Sequence, residues 1–117
     1  KIQNNDIVLF RYADVLLMEA EALVRNGENG NVPFGVVRSR ALAPEKEATL
    51  QNILDERLME LAWEGWRRND LVRFGQYTRS YSDRPALKDE ENGYTTVFPI
   101  PGNVLLYNSS MSQNPGY

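Results

Sequence analysis

Apolar residues return at three- and four-residue steps in three separate stretches of this chain, and that period restricts it to packed helices. From Ile7 to Asn26 the set Leu9, Tyr12, Ala13, Leu16, Ala20, Leu23 and Val24 is interleaved with Arg11, Asp14, Glu21 and Arg25. One amphipathic helix is expected there. Asp6 is its expected N-cap, because a carboxylate accepts from unpaired first-turn amides, and Gly27 is free to take the left-handed conformation that ends it. Pro33 suits a first helical position, and Phe34, Val37 and Ala41 then share one side before Pro44, which predicts a short second helix. Gly35 and the valines make that helix depend on packing more than on propensity.

Between Leu50 and about Trp66, Ile53, Leu54, Leu58, Leu61, Ala62 and Trp66 keep the helical period, with Thr49 available as cap. "NDLVRFG" reads as a separate short helix capped by Asn69 or Asp70 and closed by Gly75. Residues 76 to 93 are polar and irregular. "TTVFPIP" alternates, but two prolines and the lack of any partner strand favour a single extended segment lying on the helices. A turn or two of helix through Leu106 and a turn-rich tail complete the chain. The fold class expected is all-α: a tetratricopeptide-like helical hairpin plus a further helix, with an extended C-terminal segment and long loops. Ala20, Leu23, Gly27 and Pro44 fall at tetratricopeptide intervals, yet a shift of about 34 residues finds no second copy.

Composition removes several kinds of chemistry. The chain has neither cysteine nor histidine, so thiolate and imidazole zinc ligands, thiol nucleophiles and the base of a serine triad are absent. A net charge of -3 gives no footprint for nucleic acid. No apolar run approaches the roughly 18 residues of a spanning helix. At 117 residues the chain suits one domain, and a start at Lys1 followed by "IQNND" reads as a processed or truncated end of a longer protein.

Glu56, Glu60 and Glu64 are expected four apart on one face of the third helix. Three like charges in a row repel unless cations lie alongside, and Arg67, Arg68, Arg38 and Arg40 are the candidates, with Asp55 and Arg57 flanking the row. Arginine suits the task because its planar fork engages a carboxylate through parallel hydrogen bonds where water is scarce. An ion-pair network of Arg38, Arg40, Glu56, Arg57, Glu60, Glu64 and Arg67 is therefore expected, the arginines of "VRSRA" meeting the glutamates of the next helix. The enzymatic alternative uses Glu60 and Glu64 as a glycosidase acid and base.

Trp63 and Trp66, three apart, are expected on one side of that helix, in the core or an interface. Stacking on a sugar ring is the sharper alternative. Tyr77, Tyr81 and Tyr94, in or beside the irregular stretch, are weaker stacking candidates. The acidic "DEEN" at 89 to 92 lacks the spacing of a calcium loop, and Ser109, Ser110 and Ser112 lack a base. No metal or cofactor is expected.

"FRYADVLLMEAEALVRNG", "VRSRA", "LDERLMELAWEGWRRNDLVRFG", "VFPIP" and the terminal "QNPGY", in that order, resemble the C-terminal part of the SusD/RagB family of outer-membrane nutrient-binding lipoproteins. The resemblance implies an all-α protein whose helix pairs form a scaffold and whose remainder binds glycan. It implies a non-enzyme, lipidated on the bacterial outer membrane, that binds oligosaccharide and partners a SusC-like TonB-dependent transporter. By the same resemblance Tyr12, Asp14, Glu21, Arg38, Arg40, Glu56, Arg57, Glu60, Glu64, Gly65, Arg67 and Asp70 fall at scaffold positions. The lipid-bearing cysteine and most sugar contacts would lie in an N-terminal part outside this chain. A tetratricopeptide-like protein-interaction module is the alternative function.

Overall fold

A computed structural model describes residues 7–80, 83–86 and 93–117. Its helices are α1 (Tyr12–Arg25), α2 (Asn31–Arg40), α3 (Leu50–Glu60), α4 (Arg67–Arg73) and α5 (Gly102–Tyr107), with a 3₁₀ turn at Tyr94–Thr96. No strand occurs among the described residues, and the fold is all-α. The chain divides into two compact units, Lys1–Asp70 and Leu71–Tyr117.

In the first unit α1 packs against both α2 and α3. Leu17, Ala20, Phe34, Val37, Ile53 and Leu54 are sealed from water and form its core. Gly30 allows the close approach of α1 and α2, because a Cβ there would stand 2.6 Å from the Ala20 carbonyl oxygen. α1 begins at Tyr12, five residues later than the apolar pattern suggests. Arg11 is the N-cap residue, extended at φ -137 and ψ 161, and Ile7, Val8, Leu9 and Phe10 before it are exposed and non-helical. Asp6, the expected cap, lies outside the described residues.

Three helices end in the same way. After α1, Gly27 takes φ +77, its N–H donates to Val24 O at 3.1 Å and that of Glu28 to Leu23 O at 2.8 Å, which is the Schellman closure. α4 repeats this with Gly75, at φ +66. α2 repeats it with Leu42 at φ +53, a conformation unfavourable to a branched side chain. Pro33 is the third residue of α2, still within the turn where an N–H has no helical partner.

α3 opens on Thr49, whose hydroxyl accepts from Asn52 N at 3.1 Å. It ends at Glu60, six residues short of the expected limit. Residues 61–65 instead form a turn carrying Trp63 at φ +67 and Gly65 at φ +82. Glu64 is therefore off the helix, and Trp63 and Trp66 do not share a helical side. Asn69 and Asp70 sit inside α4 rather than at its cap.

Among its described residues the second unit holds its extended segment without a sheet. Gln113 reads the backbone of Ile100 at both atoms: Oε1 accepts from its N–H at 2.8 Å and Nε2 donates to its carbonyl at 2.9 Å. Asn114 Nδ2 donates to Phe98 O at 2.8 Å and the Tyr117 hydroxyl to Val97 O at 2.9 Å. These side chains stand in for the ladder that a partner strand would supply. Tyr117 also meets Tyr94 edge-on at 5.1 Å between ring centres. Gly116, at φ +96, lies so close that a Cβ would come within 2.4 Å of the Tyr94 ring.

Candidate functional site

The chemically dense region of the first unit is a lattice of arginines and carboxylates built from residues far apart in sequence. Arg38, near the end of α2, donates through Nη1 to Glu56 of α3 and through Nε to Pro44 O at 2.8 Å. Arg40 donates through Nη2 to both oxygens of Glu60, at 2.6 and 2.7 Å. Arg11 reaches the same glutamate through Nη1 and its carbonyl through Nη2, and its Nε meets Glu64 Oε1 and Oε2 at 2.9 and 3.0 Å. Glu60 is thus shared by two guanidinium groups from two segments, one before α1 and one at the end of α2.

Arg57 lies deeper, only 2% exposed, between Asp14 and Asp70. Its Nη1 donates to Asp14 Oδ1 at 2.7 Å, and its Nε stands 2.9 Å from Asp70 Oδ1. That second contact is an attraction of opposite charges whose angle falls short of a hydrogen bond, since Nε has no hydrogen-bond partner. The same holds for Asp14 Oδ2, which is buried without a donor. Arg67 does not meet a glutamate; its Nη1 donates to Leu54 O at 3.3 Å.

Asp14, Glu21 and Asp70, spaced among the polar residues in the sequence, are all buried. Asp14 and Glu21 stand three before and four after Leu17, on the same side of α1, so the core-facing stripe of this helix carries two acids. Glu21 also takes Arg25 Nε at 2.7 Å. These residues and Arg11 complete the lattice. Periodicity gave no sign of Arg11, whose partners lie 49 and 53 residues away.

Arg11 is held above the ordinary arginine range, first by its hydrogen bond to Glu64 and then, against the cost of desolvation, by Glu60. Burial alone would raise the Glu60 carboxyl, but hydrogen bonds and charge from Arg11 and Arg40 outweigh it and hold the group below its ordinary value. Such a carboxylate accepts hydrogen bonds and releases a proton readily. It is poorly suited to protonate a leaving group near neutrality.

Clefts lie among the described residues of each unit. One of about 720 Å³ runs along α2 and the following loop, lined by Asn31, Val36, Ser39, Glu45 and Lys46 among others. A second, of about 530 Å³, is lined by Leu58, Leu61, Ala62, Trp63, Arg67 and Arg68 among others. The third, of about 380 Å³, has Tyr94, Val97, Asn114 and Gly116 in its wall.

Of the tyrosines, Tyr77 has the Arg84 guanidinium 5.7 Å from its ring centre and Tyr94 has Tyr117, so both rings are engaged. Tyr81 and the "DEEN" run lie outside the described residues. Trp66 is half-buried against Phe10, 5.5 Å between ring centres. Trp63 is fully exposed and takes no part in the core. Among the described residues no cluster of three or more acidic, histidine or cysteine side chains is arranged to hold a metal ion. No helix among them is long and apolar enough to cross a membrane.

Helices clamped to one another by buried charge define an all-α fold. The whole chain, residues 1–117, matches the SusD family, and it belongs to that family. It is 37% identical over 97% of its length to the starch-binding protein SusD of Bacteroides thetaiotaomicron. It is 30% identical over 99% of its length to the SusD-like protein P38 of Formosa agariphila. Among solved structures, surface glycan-binding protein A of Bacteroides thetaiotaomicron superposes with a TM-score of 0.78 over 96% of the chain at 28% identity. The chain spans only 22%, 25% and 25% of these three proteins.

Proposed function

We propose that residues 1–117 form the C-terminal helical scaffold portion of a longer cell-surface lipoprotein that captures oligosaccharides for uptake. Its partners would be the glycan and a SusC-like TonB-dependent transporter, and its hold on the outer membrane would be a lipid anchor carried by the N-terminal part. The observation that carries this reading is the likeness, over nearly the whole chain, to a starch-binding protein and to a surface glycan-binding protein.

In this reading the chain is a fastening and not an enzyme, and needs no cofactor. The acids that would serve a glycosidase, Glu60 and Glu64, are both committed to arginines. A glycosidase acid has its pKa raised by its surroundings, whereas that of Glu60 is lowered. The network of Arg38, Arg40, Glu56, Arg57, Glu60 and Glu64, joined by Arg11, Asp14 and Asp70, would fix the register of α1, α2 and α3, while Arg67, expected in it, bonds to the Leu54 carbonyl instead.

The test is to incubate the parent protein with soluble glycans, starch first, and follow both gel retardation and released reducing ends. Retardation without release of sugar is the expected result. Release of sugar, or no binding across plant, algal and host glycans, would overturn the proposal.

A further inference from the structure

Trp63 stands wholly in solvent, 104% exposed relative to an extended reference, on the turn between α3 and α4. A bulky residue at φ +67 is costly, so the surrounding structure must hold it there. It does so from both sides of the indole. Glu64 N donates to Leu61 O at 3.1 Å, and Arg11 clamps both Glu64 oxygens while its Nη2 donates to the Glu60 carbonyl. Lattice and turn are therefore one device: the charges that fasten α3 also fix the backbone that projects this ring.

The ring borders the cleft of about 530 Å³, whose wall includes apolar Leu58, Leu61 and Ala62 and the guanidinium-bearing Arg67 and Arg68. Pyranose rings carry an apolar C–H face and a rim of hydroxyl groups. An exposed indole matches the first, and the several N–H donors of arginine, of which Arg67 gives one to the Leu54 carbonyl, match the acceptors of the second. A platform already held in place loses little freedom when a ligand arrives. A cleft of this volume falls within the roughly 300–1,000 Å³ range of small-ligand sites.

We propose that Trp63 is the aromatic platform of an oligosaccharide subsite, with Arg67 and Arg68 as hydroxyl-facing donors beside it. This rests on the glycan-binding reading and adds a place on this chain where sugar is met.

The experiment uses the parent protein and its Trp63→Ala and Trp66→Phe variants, titrated with maltoheptaose and with soluble starch, laminarin and xylan. Trp63 accessibility is read separately from acrylamide quenching of tryptophan fluorescence. The expected result is an acrylamide-accessible Trp63 that bound glycan protects. Trp63→Ala should weaken binding of the preferred glycan about fivefold or more, and Trp66→Phe should leave it unchanged. Wild-type binding that Trp63→Ala leaves intact, or a Trp63 shielded from acrylamide without ligand, would overturn the subsite while leaving the glycan-binding reading standing. Failure of the wild type to bind any glycan would overturn both.

Discussion

The two units of this chain are held together by different physics. In Lys1–Asp70 three helices share a sealed apolar core and, beside it, arginine–carboxylate pairs, the buried ones joining residues up to 43 apart in sequence. In Leu71–Tyr117, Leu71 is the sole buried hydrophobic among the described residues, and neutral side chains from the tail bind the backbone of residues 97–100. Charge pairs buried beside a core fix which helix meets which and at what register, and are costly to break from one side only. Amide and hydroxyl contacts to an exposed backbone each contribute less, about 1 kcal/mol, and order a segment without demanding a core. The first unit should therefore respond to single substitutions far more sharply than the second.

The largest break is expected at Arg57. Arg57→Ala leaves Asp14 and Asp70 buried without their cation and should cost about 3–5 kcal/mol in denaturant unfolding, with partial loss of fold as the extreme. A loss below about 1 kcal/mol would mean that water reaches the pair.

Next comes the tail. Gly116→Ala forces a Cβ into Tyr94 at a backbone angle that disfavours it and should cost about 1–3 kcal/mol. Gln113→Ala should cost about 1–2 kcal/mol and speed hydrogen exchange at the Ile100 amide, while amides of α3 keep their protection.

A smaller effect concerns pH. The folded Glu60 carboxyl is depressed below its ordinary 4.5, so its contribution is fully present above that pH and is lost as pH falls through the folded value. Glu60→Gln should therefore flatten the acid limb of the stability curve relative to wild type. An identical acid limb would place the acid sensitivity elsewhere. Smallest of all, Leu42→Gly should stabilise by up to about 1 kcal/mol, since glycine carries no penalty at φ +53.

How much of this is legible in the sequence follows the same divide. The helices are legible because apolar spacing is local, and the closures at Gly27 and Gly75 because glycine is the residue such ends require. The end of α3 is not, because Ala62 and Trp66 keep the apolar count going past the turn. Gly65 is the one local signal that the helix has stopped. Trp63 is misplaced for the same reason: spacing assigns a side to a residue only if the helix is still there.

Arg38, Arg40 and the glutamates of α3 can be matched by charge and proximity along the chain. Arg11 cannot, since its partners are set by how the chain folds back. Asp14 and Glu21 look like surface acids until Arg57 and Arg25 are seen to face them. The tail clasp is invisible to periodicity because it is made of side chains reading a backbone.

The acids of α3 act as an internal fastening to α2. A double-mutant cycle on Arg38→Ala and Glu56→Ala, read by equilibrium unfolding, tests it most directly. Each single change should cost about 3 kcal/mol or more, and the pair should be non-additive by at least about 1.5 kcal/mol. Two small losses that add to within about 0.5 kcal/mol would show the pair to be a solvated surface contact and contradict the account.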